Sequence, residues 1–572
     1  MTADSQPSAI DCDVLIVGSG AAGLAAAVTA AWHGQKVIVV EKDAVFGGAT
    51  AWSGGWAWIP CNPLAKRAGI VEDVELPRTY LKHELGERYE PAMIDAFLQA
   101  GPQMVAFFEQ HTRLQFADGN AIADIHGDTP GAGTGGRSVI AAPYDGREVG
   151  KLLKRLRKTM RETSFMGMPI MAGPDLAAFL NLTRSLPAAW HVTKRFSRHL
   201  KDLALHGRAL QLVNGVALVA RLAKSAEDLG VRLWESAPVT ALIQDSTGVT
   251  GAVVKTERGE VRIHARNAVV LAAGGFANDI QRRKALFPRT PTGHEHLALP
   301  PLGASGDGLT LGESAGGWVN SDLHSPVAWA PVSRVPHRDG SIGHFPHIIE
   351  RGKPGIIGVL SNGQRFVNEA NGYYDYVTAM VQKAPTDEPV ASWLICSHAF
   401  QRRYGLGISR PFPIPVAPFI KSGYLKSANT LEDLAHACGI NAAALRVTVD
   451  EYNRHAQTGQ DPQMGRGSTP YNRKQGDPLH QPNPCVAPIT QGPFYAVKVE
   501  PGCFGTFAGL KTNEHAQVLN ASGQTIKGLY AAGTDMASIM GGYYPAGGIN
   551  LGPALTFGYI AARHIAGVTQ YE

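Results

Sequence analysis

Apolar positions along the chain fall in short blocks that end in glycine. Val14-Leu-Ile-Val17 is unbroken and apolar, the length and character of a strand buried on both faces, and it runs directly into Gly18-Ser-Gly20-Ala-Ala-Gly23. The alanine-rich stretch from Leu24 to His33 predicts a helix closed by Gly34, and Val37-Ile-Val-Val40 predicts a second strand ending at Glu41. Together these make a complete βαβ unit. Val269-Val-Leu-Ala-Ala-Gly-Gly275 and Leu529-Tyr-Ala-Ala-Gly-Thr-Asp535 repeat the motif of an apolar strand entering glycine. Near the end, Gly541-Gly-Tyr-Tyr544-Pro-Ala-Gly-Gly548-Ile-Asn-Leu-Gly-Pro553 leads into Ala554 to Ala566, whose apolar character and first-turn proline predict a helix. No stretch of eighteen or more apolar residues is present, so no membrane-spanning helix is expected.

The first βαβ unit has the requirements of a dinucleotide site. Gly18 and Gly20 let a turn approach a pyrophosphate, Gly23 lets helix and strand pack, and the helix N-terminus offers unpaired N–H groups to the anion. Glu41, after the second strand, can accept from a ribose hydroxyl. Phe46-Gly-Gly-Ala-Thr-Ala-Trp-Ser-Gly-Gly55 carries the glycine-rich path further, as a longer ligand would require. That segment resembles the second glycine loop of the succinate dehydrogenase/fumarate reductase flavoprotein superfamily, and the strands ending at Gly275 and Asp535 resemble its later flavin-contacting strands.

The resemblance implies FAD. Its holders would be Gly18, Gly20, Ala21, Ala22, Gly23, Glu41 and Lys42 at the first turn, with Gly47, Gly48, Ala49, Thr50, Ser53, Gly54 and Gly55 in the second loop. Val239, Ala273, Gly274, Gly533, Asp535, Gly548, Asn550 and Leu551 would complete the site. Members that attach FAD covalently use a histidine near the second loop. None lies between Glu41 and Pro60, so noncovalent FAD is expected.

These anchors predict an α/β fold: a Rossmann-like FAD-binding domain, discontinuous in sequence, with an inserted α+β substrate (cap) domain. The boundaries read as 1–298 and 491–572 for the two FAD-binding parts and 299–490 for the cap, which begins at Pro300-Pro301 and ends in the Pro-rich stretch from Pro478 to Pro493. No internal repeat or low-complexity tract interrupts them.

Tyr544-Pro-Ala-Gly-Gly548 followed by Leu551-Gly-Pro-Ala554 resembles the C-terminal loop of 3-ketosteroid Δ1-dehydrogenases, and the likeness extends over nearly the whole chain. By that resemblance the Tyr544 hydroxyl and the Gly548 N–H bind a ketone oxygen as an oxyanion hole, which acidifies the adjacent carbon. Arg365-Phe-Val-Asn-Glu369-Ala-Asn-Gly-Tyr373 resembles the family's cap motif and puts Tyr373 in the place of the base, with Tyr374 and Tyr376 as competitors. Phenol is a poor base at its free pKa of about 10, so neighbouring donors or a helix N-terminus must stabilise phenolate. The implied reaction is α,β-desaturation, with the α proton going to Tyr373 and a hydride going from the β carbon to flavin N5. Family members also carry a tyrosine in an early substrate loop. The corresponding stretch, Ala121-Ile-Ala-Asp-Ile-His-Gly-Asp128, has none, and His126 or Tyr144 are the candidates to replace it.

Composition and charge add less. With 44% hydrophobic and 18% charged residues, 65 Gly and 37 Pro in 572 residues, the chain reads as a large folded α/β enzyme. Six scattered cysteines without a C-x-x-C pair point to neither a zinc site nor a disulfide framework, and no metal is expected. Met1 to Asp13 shows no secretory leader pattern, so a cytoplasmic protein is expected. Of the net +5, much is local: residues 151–208 hold twelve Lys or Arg against Glu162, Asp175 and Asp202, interleaved with apolar stretches. Such sequence can lie peripherally on the inner face of a membrane, and a membrane-surface flavin electron-transfer protein is one alternative. A second is a fumarate-reductase-like activity on an unsaturated acid or enone. A dicarboxylate would need arginine clamps, and none lies between Gly533 and Ala562. No nucleic-acid motif is present, and no feature identifies the electron acceptor.

Overall fold

A computed structural model describes residues 9–568; Met1–Ser8, the larger part of the stretch read for a leader, lies outside the described residues. Strand β1 (Ala9–Val17), helix α1 (Ala21–Trp32) and strand β2 (Val37–Val40) form the βαβ unit read from the sequence. β1 and β2 are parallel in the register Val14↔Val37 to Val17↔Val40. Every residue of β2 is buried, as a continuous apolar run requires. The alanines of α1 make a thin helix that sits close to the sheet, and ten of its twelve residues are buried.

After β2 the chain builds a long excursion that includes helices α2 (Leu186–His206) and α3 (Asn214–Asp228). It returns as β3 (Arg232–Trp234) beside β2. Strands β4 (Val239–Asp245), β5 (Gly248–Thr256) and β6 (Gly259–Leu271) then meander antiparallel, and β6 inserts parallel to β1 on its other side.

The inserted region forms a second sheet from β7 (Val327–Pro336), β8 (Ile342–Pro346), β9 (Ile356–Val359), β10 (Ser392–Ser397) and β11 (Phe494–Thr506), in the order β8-β7-β11-β10-β9. Helices α4 (Tyr373–Lys383) and α5 (Pro470–Gln475) belong to this region. Its central strand, β11, begins past the expected boundary at residue 490, and Leu297–Ala298, before the expected start, pairs onto it. The pairing of this sheet thus crosses the expected boundaries at both ends. The apolar pattern of β11 marks a buried strand, but partner choice, a tertiary property, decides which sheet takes it.

Strands β12 (Gln517–Leu519) and β13 (Thr525–Ala531) bring the chain back to the first sheet, where β13 runs parallel to β6 from Val269↔Leu529 to Leu271↔Ala531. Its main path is β12-β13-β6-β1-β2-β3. Helix α6 (Leu551–Ile565) packs on α1, so closely that a Cβ at Gly558 would lie 2.5 Å from the Ala22 carbonyl oxygen. The first and last helices thus close over the same strand ends.

Candidate active site

Where β1, β6 and β13 end, the chain forms a cradle of glycines of two kinds. Some are filled by the protein: a Cβ at Gly18 would sit 2.1 Å from the Ala272 carbonyl oxygen, and one at Gly23 equally close to that of Gly18. These set the distance between turn, helix and neighbouring strand. Others open onto space: a Cβ at Gly48 or Gly274 would find nothing nearer than 3.8 Å, and one at Gly547 nothing within 4 Å. A group lying along Gly20, Gly48, Gly274 and Gly547 would meet backbone rather than side chains.

The polar residues of the cradle hold its loops together. Thr50 Oγ1 accepts from Ala21 N–H at 3.0 Å at the start of α1, and Gly47 N–H donates to Ser19 Oγ at 2.9 Å, which ties the second glycine loop to the first turn. Ala49 opens a short 3-10 turn, Ser53 Oγ donates to the Thr50 carbonyl, and Gly54 and Gly55 follow; a Cβ at Gly55 would collide with Asn214. Glu41 accepts from Ser19 and from Asp43 N–H, and burial raises its carboxyl while Ser19 opposes. Val239 opens β4 two residues after Ala237, whose N–H donates to the Glu41 carbonyl at 2.8 Å. Lys42 turns to Ser305 and Asp307, at 2.6 and 2.7 Å. Asp535, fully buried beside Gly533, accepts from Ala273 and Gly275 N–H at 2.5 and 2.8 Å and locks the ends of β6 and β13 together. Burial pushes its carboxyl up to about 6 against those donors. Asn550 and Leu551 stand at the entry of α6.

Facing this cradle from the cap is a cluster of tyrosines. Tyr373 is the first residue of α4, and its hydroxyl donates to the Tyr544 hydroxyl at 2.8 Å. The two rings meet edge to face at 5.0 Å, with Phe504 5.2 Å from Tyr373. The competitors point elsewhere: Tyr374 donates to the Gly542 carbonyl and Tyr376 pairs with Ser392 Oγ in the cap core. Burial first, then Tyr544 and Tyr471, push the Tyr373 phenol well above its usual range, with Arg351 opposing. Burial raises Tyr544 too, opposed by the hydrogen bond from Tyr373.

Gly548 completes the arrangement. Its φ of +104° and the 2.8 Å between an added Cβ and Trp58 N demand glycine. Its carbonyl accepts from Trp58 and Gly552 N–H, while its own N–H has no partner among the described residues. Tyr544 and Gly548 thus stand four residues apart in one loop, each with a donor that no described residue accepts from.

The early loop reaches the site without a tyrosine. Ile125 N–H donates to the Pro545 carbonyl at 3.0 Å, and the Ile125 side chain lies against Gly372, the N-cap of α4. His126 is held between Glu84 (2.5 Å) and Asp375 (3.2 Å), the third residue of α4. Burial pulls its imidazole down, but those hydrogen bonds outweigh it and lift the pKa to about 10. Tyr144 is elsewhere, under the Arg221 guanidinium at 4.4 Å, and is corrected as a site candidate because its short strand packs against α3. Sequence reasoning missed Tyr80, which donates to the Pro545 carbonyl at 2.6 Å, as well as Arg351 and Tyr471. None sits in a recognisable motif.

The model of a family described as "FAD binding domain" matches residues 13–551. The chain belongs to this FAD-binding family. Within it, the protein is 40% identical over 563 residues to a 4-oxocyclohex-2-ene-1-carboxylate 5-dehydrogenase of Sinomonas cyclohexanicum, covering 98% of this chain and 95% of the relative. It is 34% identical to a 3-oxosteroid 1-dehydrogenase of Mycobacterium tuberculosis, covering 97% and 98%. A solved 3-ketosteroid Δ1-dehydrogenase of Sterolibacterium denitrificans, in complex with 1,4-androstadiene-3,17-dione, superposes with a TM-score of 0.89 at 33% identity, covering 97% and 99%.

This FAD-binding protein is thus a flavin-dependent oxidoreductase, and its residues fit the cofactor: an open glycine path, a helix N-terminus at Ala21 and a carboxylate at Glu41 lie where a dinucleotide needs them. All six cysteines are free. Among the described residues no helix is long and apolar enough to cross a membrane, and no His, Cys, Asp and Glu group could hold a metal.

Proposed function

We propose that the protein desaturates a cyclic ketone, a 3-ketosteroid or a smaller ring ketone, at the carbons α and β to the carbonyl. The observation that carries this is the contact between Tyr373 and Tyr544, with the Gly548 N–H unpartnered four residues further along the same loop. Tyr544 accepts from Tyr373 and keeps its own proton for a substrate oxygen. With the Gly548 N–H it forms a two-donor hole in which an enolate oxygen is better held than a ketone. Tyr373, ionised to phenolate for this step, takes the α proton as the electron pair of that C–H bond moves toward the held oxygen. FAD, when bound, supplies the acceptor for the hydride that leaves the β carbon.

The aromatic side chains here, with Phe504 against Tyr373, suit a cyclic ketone. They suit a dicarboxylate poorly: Arg351, the guanidinium near these phenols, already donates to the carbonyls of His347 and Glu369. The test is turnover of a panel of steroid, monocyclic ketone and dicarboxylate substrates with an artificial electron acceptor. Oxidation of dicarboxylates but not of cyclic ketones would overturn the proposal.

A second reading concerns where the enzyme works. α2 has an inverted face: it buries Arg195, His199 and Asp202 while Leu186, Trp190 and Leu205 are 87%, 71% and 66% exposed beside exposed Lys194, Arg198 and Lys201. The three acids of residues 151–208 turn inward, Glu162 to His337, Asp175 to His191 and Arg195, and Asp202 to Leu210 N–H. An apolar and cationic surface of this kind fits peripheral contact with an anionic membrane from the cytoplasmic side. Co-sedimentation with phosphatidylserine vesicles, lost in a Leu186→Glu/Trp190→Glu variant, is the expected result. Equal recovery with and without vesicles at low salt excludes the contact.

A further inference from the structure

Arg351 is 1% exposed, and no carboxylate holds it. Its Nε donates to the His347 carbonyl at 2.7 Å and its Nη1 to the Glu369 carbonyl at 2.8 Å, with a longer approach to the Asn371 carbonyl at 3.4 Å. The guanidinium lies 5.0 Å from the Tyr376 ring centre. Buried arginines are normally paired, because an isolated charge in a protein interior is costly. The neighbouring arginines follow that rule: Arg365 is bound by Glu369 and Asp461, and Arg466 shares Glu369.

The carboxylates that could neutralise Arg351 are engaged elsewhere. Glu350 sits 2.6 Å from His347 Nδ1. Asp375 accepts from Gly372 N–H and faces His126, which Glu84 holds from the other side. The remaining groups around the first turn of α4 are phenols: Tyr373, Tyr544 from the C-terminal loop and Tyr471 from α5. The carbonyls of Glu369 and Asn371, to which Arg351 donates, lie in the turn that delivers Gly372 and then Tyr373.

We infer that Arg351 is a positioning residue for the base: it anchors the turn that places Tyr373 and leaves an unpaired positive charge that favours the phenolate form of Tyr373. This rests on the reading of Tyr373 as the base. The N-terminus of α4 adds a partial charge of the same sign. Burial foremost, then the two other phenols, oppose ionisation of Tyr373; Arg351 acts the other way, more weakly than any of them. In the step itself the α C–H bond breaks, the proton joins the Tyr373 oxygen, and the electron pair goes to the enolate held by Tyr544 and Gly548.

The test uses the holoenzyme with 4-oxocyclohexanecarboxylate and 4-androstene-3,17-dione. Two readouts are followed: the pH profile of kcat/KM, and exchange of the substrate's α hydrogens in D2O by NMR. Arg351→Gln keeps an amide donor for the turn but removes the charge, while Arg351→Lys keeps the charge. The expected result is an ascending limb shifted upward by about one pH unit in Arg351→Gln, a roughly tenfold loss below the limb in both readouts, and little shift in Arg351→Lys. An unshifted limb in Arg351→Gln, with activity lost evenly at all pH values, assigns a merely structural role and overturns the inference. If Arg351→Gln does not retain FAD, Arg351→Lys decides: a limb displaced as far as a unit despite the retained charge overturns it as well. Tyr373→Phe is run in parallel. Retained turnover there, or turnover of neither ketone by the wild type, defeats the underlying reading and this inference with it, whereas a shifted limb in Arg351→Gln with an inactive Tyr373→Phe supports both.

Discussion

The hydroxyl of Tyr373 donates to that of Tyr544 across 2.8 Å, joining the first turn of a cap helix to the loop before the last helix of the FAD-binding part. In the proposed function the two chemically identical groups divide the labour: Tyr373, once ionised, takes the α proton, and Tyr544 keeps its proton for the substrate oxygen. Tyr544→Phe should therefore retain FAD and fold but lose about 10²–10³ in kcat, the usual cost of one oxyanion donor. Flavin absorbance of the purified variant beside steady-state rates checks it; rates within a few-fold of wild type would contradict the assignment.

Tyr373 and its neighbour provide an internal control. Tyr373→Phe removes the base and should cost about 10²–10⁴ in turnover. Tyr374→Phe removes only a hydrogen bond to the Gly542 carbonyl, so it should lower stability by about 1 kcal/mol and leave kcat within a few-fold. Comparable activity losses in the two variants would mean that the geometry of α4, rather than the Tyr373 hydroxyl, is what the reaction requires.

His126 ties the early loop to α4 through Asp375 and to Glu84, and its pKa is lifted from the ordinary 6.5 to about 10. A group raised on folding stabilises fully below its unfolded pKa, and that contribution is lost as pH rises through the folded value. The wild type should thus lose thermal stability between pH 6.5 and about 10 in part through His126. In His126→Gln that part of the decline should vanish, so the two melting curves converge toward pH 10. Parallel curves over the whole range would show that the imidazole carries no charge in the folded protein.

The βαβ unit and its glycine turn were legible because their constraints are local. Gly18 and Gly23 leave no room for a Cβ, and strand, turn and helix follow one another without interruption. The tyrosine pair was less so. Tyr373 and Tyr544 stand 171 residues apart, and only a family likeness brought them together. Arg351 and Tyr471 carry no motif, since their effect on Tyr373 arises from packing between cap elements. The cap sheet crosses its expected boundary for a similar reason: nothing within Phe494–Thr506 says which sheet will accept it.

The glycines of the cradle separate cofactor retention from folding. At Gly18 any side chain meets the Ala272 carbonyl at 2.1 Å, so Gly18→Ala must push β1 and β6 apart and should yield little folded protein. At Gly20 an added methyl would meet nothing nearer than Thr50 Oγ1 at 3.5 Å, and φ is −76°, open to any residue, so Gly20→Ala should fold and yet be purified with depleted FAD. Circular dichroism and the ratio of flavin to protein absorbance check both. A Gly20→Ala protein carrying full FAD would mean that the open side of this glycine is not where the cofactor lies.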